Sequence, residues 1–265
     1  MDLGLRNKVV FITGGSKGIG RACAMEFARE GARTALCARR EAGLAEAAAA
    51  IRAATGAEVF TVAGDVMRWE DARRCVDAAA AHFGGLDVLV NCAGASPGGL
   101  ILNLTEEDWQ LSLQLKFMGY VRCAKAIIPH LLKRGGGRIV SVVGNDGIKP
   151  AYWELTASAA NAADLAMTAA LAEQYGPQGI LVNAVNPGPV ATERWDGLVR
   201  AYARDKSLSF EEASAQALRS LPLGRICTPE EVAAVVVFVA SERASYMNGA
   251  WITLDGGQRK AIMDI

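Results

Sequence analysis

The chain has 265 residues, of which 51% are hydrophobic, and its formal net charge is zero because 28 lysines and arginines balance 28 aspartates and glutamates. This length suits one α/β domain with a large core, and the composition differs from that of disordered chains. The balanced charge argues against nucleic acid or an anionic membrane as partner. The longest apolar run, 232–240, is far shorter than the ~20 residues of a membrane span.

The segment MDLGLRNKVVFITGG shows no apolar stretch ahead of a small-residue cleavage site, and none of the six cysteines forms a C-x-x-C pair. Buried thiols in a reducing compartment are the ordinary interpretation of such cysteines. We therefore expect a cytoplasmic protein.

Apolar runs typical of strands alternate with stretches of helical periodicity. The predicted strands are 8–13, 34–38, 58–63, 88–91, 138–143, 180–185 and 250–254. The predicted helices are 21–30, 42–55, 70–83, 105–133, 154–175 and 228–240. Thr105 and Thr228 begin two of these helices as N-caps, with acidic residues in the first turn. Strands that alternate with helices require right-handed crossovers, so the pattern predicts a three-layer, doubly wound parallel sheet of Rossmann type in a single α/β domain over 1–265.

The least regular part of the sequence is the polar segment 191–222, which is rich in arginine, serine and glutamate. An insertion of this length between core elements commonly acts as a lid. We therefore predict a substrate lid here.

A glycine-rich turn, TGGSKGIG at 13–20, follows the first strand and opens the first helix. A pyrophosphate must approach the backbone closely, so side chains must be absent, and the helix N-terminus supplies free N–H groups. The order strand, turn, helix is the context of a dinucleotide site rather than of a structural turn alone. The predicted cofactor-binding residues of this turn are Gly14, Ser16, Lys17, Gly18, Ile19 and Gly20.

The residues after the second strand indicate which dinucleotide is bound. An acid there would hold the 2′-hydroxyl of NAD and repel a 2′-phosphate. This sequence instead has Ala38 followed by Arg39 and Arg40, and Lys17 lies in the glycine-rich turn. These cations favour NADP(H) over NAD(H), although solvated surface charge is the alternative explanation.

The spacing T-G-x-x-x-G-x-G resembles the short-chain dehydrogenase/reductase family, and further segments match in order. GDV at 64–66 is similar to the family's adenine-contacting segment, NCAG at 91–94 to its N-x-A-G segment, and NPGPVAT at 186–192 to its segment over the nicotinamide amide. PLGR at 222–225 and DGG at 255–257 are similar to its C-terminal pattern. The resemblance implies cofactor contacts from Asp65, Val66, Asn91, Ala93, Gly94, Pro187, Gly188, Val190 and Thr192.

The resemblance also implies four catalytic residues, and here the sequence departs from the family. A family member has a serine after the fifth strand, a Tyr-x-x-x-Lys on the next helix and an asparagine on the preceding helix, and the tyrosine gives a proton to the substrate oxygen. Alignment puts Gly144 at the serine position, Ala157 and Asn161 at the tyrosine and lysine positions, and Lys116 at the asparagine position. The Tyr-x-x-x-Lys at 202–206 lies in the predicted lid and is interpreted as coincidence. The chain is thus predicted to be an atypical member without the usual tetrad.

Other polar side chains remain near the position of the missing tyrosine. Glu154, Ala157, Ser158 and Asn161 share one helix face that is expected to point at the nicotinamide. Asn161 could hydrogen-bond the ribose of the cofactor.

Lys116 could project into the same space from the neighbouring helix. A Glu154–Lys116 pair in a partly dry pocket would have interdependent pKa values, and either group could act as acid or base. Each could equally be a structural polar contact. Asn145 and Asp146 follow the fifth strand on the same rim.

Tyr152 is the phenol nearest to the empty position in sequence. It could serve as proton donor only if the loop 147–153 folds back, and otherwise it is expected to line a substrate pocket with Trp153. The predicted catalytic residues are Lys116, Glu154, Asn161, Asn145 and Tyr152.

The leading hypothesis is an NADP(H)-dependent oxidoreductase with a rebuilt acid/base site that acts on a small carbonyl, imine or activated double bond. Two alternatives stay open: an NADP(H)-binding sensor or scaffold without turnover, and non-redox acid/base chemistry by Glu154 and Lys116. The two histidines, His82 and His130, have no triad partners, and no cluster has metal-ligand spacing, so no metal is expected.

The resemblance further implies a homodimer or homotetramer that pairs through the helices at 105–133 and 154–175. Leu111, Leu115, Met118 and Val121 give the first of these helices an apolar face.

Overall fold

In the computed structural model, which describes residues 1–258, one seven-stranded sheet has the order β3-β2-β1-β4-β5-β6-β7, and every neighbouring pair is parallel. The strands are β1 (Val9–Thr13), β2 (Arg33–Ala38), β3 (Val59–Ala63), β4 (Val88–Asn91), β5 (Gly137–Val142), β6 (Ile180–Pro187) and β7 (Trp251–Leu254). The helices are α1 (Gly18–Arg29), α2 (Glu41–Thr55), α3 (Trp69–Phe83), α4 (Glu106–Ser112), α5 (Met118–Lys133), α6 (Leu155–Tyr175), α7 (Glu193–Lys206), α8 (Phe210–Leu218) and α9 (Pro229–Ala240). The predicted doubly wound, three-layer α/β domain is confirmed. The strand order reverses between β1 and β4, where such sheets open a crevice at their carboxyl ends.

Strand β1 is buried on both of its faces. Val10 and Ile12 belong to the core beneath α1 and α9, whereas Val9 and Phe11 belong to the core beneath α3 and α5. A strand covered on both faces has no solvent-facing position, which explains why VVFIT is continuously apolar rather than alternating. All six cysteines are free thiols, and four of them are buried in these cores.

The predicted helix 105–133 is helical along its length, but a π-helical turn interrupts the regular α-helix near its middle. Thr105 and Asp108 form the predicted capping box, since the Thr105 hydroxyl accepts from the Asp108 N–H at 3.2 Å and the Asp108 carboxylate accepts from the Thr105 N–H at 3.0 Å. After α4 the residues Leu113–Phe117 form a single π-helical turn before α5 begins. Such turns widen a helix and are frequent at functional sites, and this one carries Lys116.

The segment 191–222 is regular, so the prediction of an irregular insertion was wrong. It forms α7 and α8, whose inward faces build a small core of their own with Trp153 at its centre. The Trp153 side chain is fully buried, its Nε1 donates to Asp205 Oδ2 at 3.0 Å, and its ring meets Tyr202 edge to face at 5.4 Å. The many charged residues that suggested a loop lie on the outer faces of these helices. Whether the pair acts as a lid stays a prediction.

The apolar face assigned to a subunit interface is partly internal. Leu115 is buried in the main core and Leu111 packs against it, so these two side chains are directed inward. Met118 and Val121 are only half-buried. The oligomeric state stays a prediction. Leu111 and Leu115 do not support it, because their side chains pack into the core of the same chain. Within residues 1–258, no helix combines the length and apolarity needed to cross a membrane.

Replacing Trp153 tests how strongly α7 and α8 depend on their core. Trp153→Phe removes the indole donor from Asp205 and part of the buried ring, so we expect the free energy of unfolding to fall by about 1–3 kcal/mol. Amide hydrogen exchange should accelerate in α7 and α8 more than in β1. The control is Trp251→Phe, because that ring is 48% exposed and its loss should change stability by less than about 0.5 kcal/mol. Equal effects of the two substitutions would contradict the described core.

Candidate active site

A cleft of about 1050 Å³ opens along the carboxyl ends of the strands at the switch point. Its wall contains all of the predicted cofactor-binding residues except Asn91. These wall residues are Gly14, Ser16, Lys17, Gly18, Ile19, Gly20, Arg39, Arg40, Asp65, Val66, Ala93, Gly94, Asn161, Pro187, Gly188, Val190 and Thr192. The turns after five different strands therefore meet at one site.

Asn91 does not line the cleft. Its side chain is fully buried, and its Nδ2 donates to Ser141 Oγ at 3.4 Å across the β4–β5 pair. The residue that shapes this turn is Thr13, whose hydroxyl accepts from the backbone N–H groups of Cys92 at 2.9 Å and Ala93 at 3.1 Å. The turn after β4 therefore lines the cleft through Ala93 and Gly94, whereas the Asn91 side chain is directed into the β4–β5 pair.

The glycine-rich turn is packed too tightly for side chains. A Cβ on Gly20 would lie 2.4 Å from the Gly14 carbonyl oxygen, and a Cβ on Gly14, whose φ is +69°, would lie 3.0 Å from the Cα of Ala93. The absence of side chains lets a ligand approach the backbone at the start of α1, where N–H groups are unpaired within the helix. The residues present therefore fit a dinucleotide.

The three cations predicted to select a 2′-phosphate have different surroundings. Arg39 and Arg40 are exposed on the rim after β2, and neither guanidinium makes a hydrogen bond or ion pair with another residue of the described chain. Lys17 instead pairs with Glu193 at 2.7 Å, which connects the glycine-rich turn to the start of α7 and lowers the pKa of that carboxyl. The two arginines are thus the cations available to an incoming phosphate.

Lys116 reaches the cleft from the π-helical turn. Its side chain is 2% exposed, and its Nζ donates to the Val143 carbonyl oxygen at 2.8 Å. The pKa of Lys116 is lowered to about 8, chiefly by burial and also by the nearby Arg194, against the opposing effect of the Asp146 and Asp164 carboxylates. An amine with this pKa can hold a proton at neutral pH and also release it.

One turn after Lys116, a phenol that sequence reasoning missed also lines the cleft. The Tyr120 hydroxyl donates to the Val142 carbonyl oxygen at 2.8 Å, and burial raises the pKa of this phenol. The two side chains therefore donate to consecutive carbonyls at the end of β5. The spacing of Lys116 and Tyr120 along one helix could have indicated this shared direction.

The Asn161 side chain lies directly beside the backbone of Gly144. Gly144 has φ +152°, and a Cβ there would lie 2.5 Å from Asn161 Nδ2 and 2.6 Å from Asp146 Oδ1. Asn161 Nδ2 donates to Asp146 Oδ1 at 2.5 Å across this position. The amide of Asn161 and the carboxylate of Asp146 thus fill the space that a side chain at position 144 would need.

Asn145 lines the cleft but is held by the C-terminal segment, which the sequence did not indicate. Its Nδ2 donates to Asp255 Oδ2 at 2.9 Å and to Gln258 Oε1 at 3.3 Å. Lys149 Nζ joins the same carboxylate at 2.7 Å. This network fixes the turn after β5 against the turn after β7.

Glu154 lines the cleft at the start of α6 and is 8% exposed. Asp146 and Asp164 are carboxylates that raise the pKa of Lys116, and the predicted pairing of Glu154 with Lys116 stays a prediction. Ser158, predicted to face the nicotinamide, instead accepts from the Ala151 N–H at 3.3 Å.

Tyr152 and Trp153 do not line the cleft. Tyr152 is 39% exposed, with its hydroxyl 3.5 Å from that of Tyr202 and its ring 5.2 Å from Lys206 Nζ. The loop that carries them continues into the core of α7 and α8, because the buried Trp153 ring anchors it there. The structure therefore does not bring Tyr152 together with the other predicted catalytic residues.

A second cavity of about 460 Å³ adjoins the cleft between α4 and α7. It shares Ala95, Arg194 and Leu198 with the cleft wall and includes Leu104 and Leu111. Its position beside Lys116 and away from the glycine-rich turn suits a substrate. Within residues 1–258 no cluster of histidine, cysteine or carboxylate side chains could hold a metal ion, and His82 and His130 contact Glu58 and Asp77 outside the cleft.

Comparison with known proteins gives matches along nearly the whole chain. Residues 14–259 match a protein-family model described as "Enoyl-(Acyl carrier protein) reductase". The short-chain reductase protein NovJ of Streptomyces niveus is 35% identical over 258 residues, covering 96% of this chain and 94% of NovJ. The 3-oxoacyl-[acyl-carrier-protein] reductase FabG of Chlamydia muridarum is 30% identical over 253 residues, covering 96% and 98%.

Solved structures agree with these matches. L-Sorbose reductase from Gluconobacter frateurii, complexed with NADPH and L-sorbose, superposes with a TM-score of 0.90 at 35% identity and covers 97% of this chain and 98% of its own. A variant of actinorhodin polyketide ketoreductase with NADPH gives a TM-score of 0.91 at 31% identity, with 95% and 97% covered.

Gly144→Ala tests whether Asn161 and Asp146 leave no room for a side chain at position 144. The new Cβ would meet Asn161 Nδ2 and Asp146 Oδ1 and would occupy a φ of +152°, so we expect a loss of about 1–3 kcal/mol in the free energy of unfolding, measured by urea denaturation. Gly135→Ala is the control, because its φ is +80° but no atom lies within 4 Å of its Cβ position. The steric argument would be wrong if Gly144→Ala were no more destabilising than the control.

Proposed function

The chain belongs to the short-chain dehydrogenase/reductase family, and we propose that it is an NADPH-dependent reductase of a small carbonyl compound whose proton donor is Lys116. Membership of the family supports the assignment of the chain to the oxidoreductases. The buried Lys116 ammonium at the end of the cleft carries the assignment of the donor. The proposal includes the absence of the family's usual tetrad, with Gly144, Ala157 and Asn161 at the serine, tyrosine and lysine positions.

The cleft residues support NADPH as the cofactor. The glycine-rich turn accommodates a pyrophosphate, and Arg39 and Arg40 supply the positive charge that a 2′-phosphate needs and that a 2′-hydroxyl does not. Asn161 and the turn 187–192 line the other end of the same cleft. Two similar solved structures contain NADPH. When bound, the nicotinamide supplies a hydride to an electrophilic carbon of the substrate.

Lys116 is the side chain best suited to protonate the substrate oxygen. It lies in the cleft wall, and within residues 1–258 its ammonium has one hydrogen-bond acceptor, the Val143 carbonyl, which leaves further N–H bonds for a substrate. A general acid works best when its pKa is close to the working pH, and the pKa of Lys116 is lowered to about 8. Nζ gives its proton to the oxygen as negative charge develops there and regains one from solvent after product release.

The other polar side chains of the site have supporting tasks in this proposal. Asn161 and Asp146 form one hydrogen-bonded unit beside Gly144, and Asn145 is fixed by Asp255. These bonds hold the floor of the site in one arrangement, which keeps the substrate oxygen near Nζ. Glu154 lines the cleft wall and is positioned to contact the substrate.

Lys116→Met separates proton donation from cofactor binding. With a panel of carbonyl compounds, we expect kcat to fall about 100- to 10,000-fold, the typical contribution of a general acid. The Kd for NADPH, measured by fluorescence titration, should stay within about threefold. The wild-type rate of reduction should fall as the pH rises through about 8, because only the ammonium donates, and the residual rate of the variant should lack this alkaline limb.

The matched control is Lys133→Met, which changes an exposed lysine at the end of the same helix. It should leave both kcat and the alkaline limb unchanged. NADPH binding without oxidation by carbonyls, imines or activated alkenes would overturn the oxidoreductase proposal and favour a sensor. Turnover that survives in Lys116→Met with its alkaline limb intact would overturn the donor assignment alone.

Removing Arg39 and Arg40 together tests the choice of dinucleotide. Charge-assisted hydrogen bonds to a phosphate contribute about 1.5–3 kcal/mol, so the double alanine variant should bind NADPH about 10- to 100-fold more weakly while its affinity for NADH changes little. Arg73→Ala, on the outer surface of α3 and outside the cleft, is the control and should change neither affinity. A parallel loss of NADPH and NADH affinity in the double variant would contradict recognition of the 2′-phosphate.

A further inference from the structure

Asp164 is a buried carboxylate without a structural explanation. It lies on α6 with no exposed surface, and neither of its carboxylate oxygens has a hydrogen-bond partner within residues 1–258. Its backbone carbonyl accepts from the Thr168 hydroxyl at 2.8 Å, but this bond does not involve the side chain. A buried carboxylate without hydrogen bonds destabilises a fold, so its presence requires another reason.

The helix geometry places Asp164 behind the active site rather than in it. Asp164 follows Asn161 by three residues and shares its helix face, but only Asn161 is part of the cleft wall. The π-helical turn that carries Lys116 packs against α6. Lys116 belongs to the cleft wall and Asp164 does not, and both residues are withdrawn from solvent.

Four ionisable groups act on Lys116 from four different elements. Arg194 acts from α7, Asp146 from the turn after β5, Asp164 from α6 and the Cys92 thiol from the turn after β4. Asp146 is already hydrogen-bonded to Asn161 in the cleft wall. Asp164 has no such bond, and Lys116 is the one charged group that opposes the rise of its pKa to about 7, a rise caused by burial.

We propose that Asp164 is a positioning residue that acts on Lys116 from α6, where its negative charge keeps the proton on Nζ. This role in turnover rests on the proposed function, but the electrostatic link between the two side chains does not. Asp164 lines neither cavity, so its effect on the substrate is indirect, through Lys116 and through Tyr120, whose pKa it also raises.

The two side chains then titrate as one unit. Below pH about 7 the pair holds two protons, because the pKa of Asp164 is raised to about 7. Above pH about 8, the value to which the pKa of Lys116 is lowered, it holds none. Between these limits Lys116 is protonated and Asp164 is ionised, so the negative charge of the carboxylate acts on a proton-bearing Nζ.

The pairing can be measured on the protein without any substrate or cofactor. Trace labelling with isotopic acetic anhydride over a pH series, followed by peptide mass spectrometry, reports the titration of each lysine amine, with exposed Lys133 as the internal reference. In Asp164→Asn the pKa of Lys116 should fall by about 1 or more, as expected when an opposite charge is removed. The control Glu173→Gln removes an exposed carboxylate of the same helix and should leave this pKa unchanged.

The reciprocal measurement follows the carboxyl group. In Lys116→Met the pKa of Asp164 should rise above its wild-type value, read from the carboxylic acid band in infrared spectra of protein labelled at aspartate. If Asp164→Asn does not fold, Asp164→Ser and this reciprocal experiment provide the same test. An unchanged Lys116 titration in the folded Asp164 variant would overturn the pairing.

The pH dependence of the reduction rate distinguishes failure of this proposal from failure of the proposed function on which it rests. If reduction occurs, the alkaline limb of the rate should move to lower pH in Asp164→Asn and stay in place in Glu173→Gln. The positioning role would be overturned if the pKa of Lys116 shifts in Asp164→Asn while the alkaline limb of its rate profile stays at the wild-type pH. Absence of turnover in the wild type would overturn the reductase function alone, since the labelling result does not depend on it.

Discussion

Strand β1 has no polar face to offer to water, because Val9 and Phe11 pack into one core and Val10 and Ile12 into the other. The inner strands β2, β4, β5 and β6 are also largely buried, so helices must cover both faces there and the crossovers must diverge where the strand order reverses. Side chains from many elements can meet only at that opening. The glycine-rich turn, the rim arginines and Lys116 lie far apart in sequence and share a cleft because the core leaves no other place for them.

The sequence predicted those features that depend on local pattern. The buried run at 88–91 is strand β4, and the capping residues Thr105 and Thr228 begin their helices as expected. The segment 191–222 was misjudged because its charged outer faces conceal apolar faces that become a core only when Trp153 packs between them. The same anchoring carries Tyr152 away from the cleft, and no local signal in the sequence reveals it.

Within the site, the family resemblance located the positions but not their new partners. The sequence comparison identified Gly144 and Asn161 as two separate departures from the family pattern. In the structure the two positions are adjacent, because the Asn161 amide occupies the space next to Gly144. Lys116 was identified as a candidate with Glu154 as its partner, and the structure adds Asp146 and Asp164 as carboxylates that raise its pKa. Such pairings depend on long-range contacts between α6, the turn after β5 and the π-helical turn, which helical periodicity alone does not define.

The π-helical turn at Leu113–Phe117 fixes the direction in which Lys116 points. Successive residues of an α-helix are rotated by about 100° around its axis, and a π turn accommodates one additional residue without disturbing the helix on either side. If the segment were one residue shorter, α4 and α5 could both keep their packing, but the lysine would turn away from the end of β5. In the proposed function, the register of this helix therefore decides whether Lys116 can reach the substrate, and the loss of one residue would remove the proton donor while leaving both helices in place.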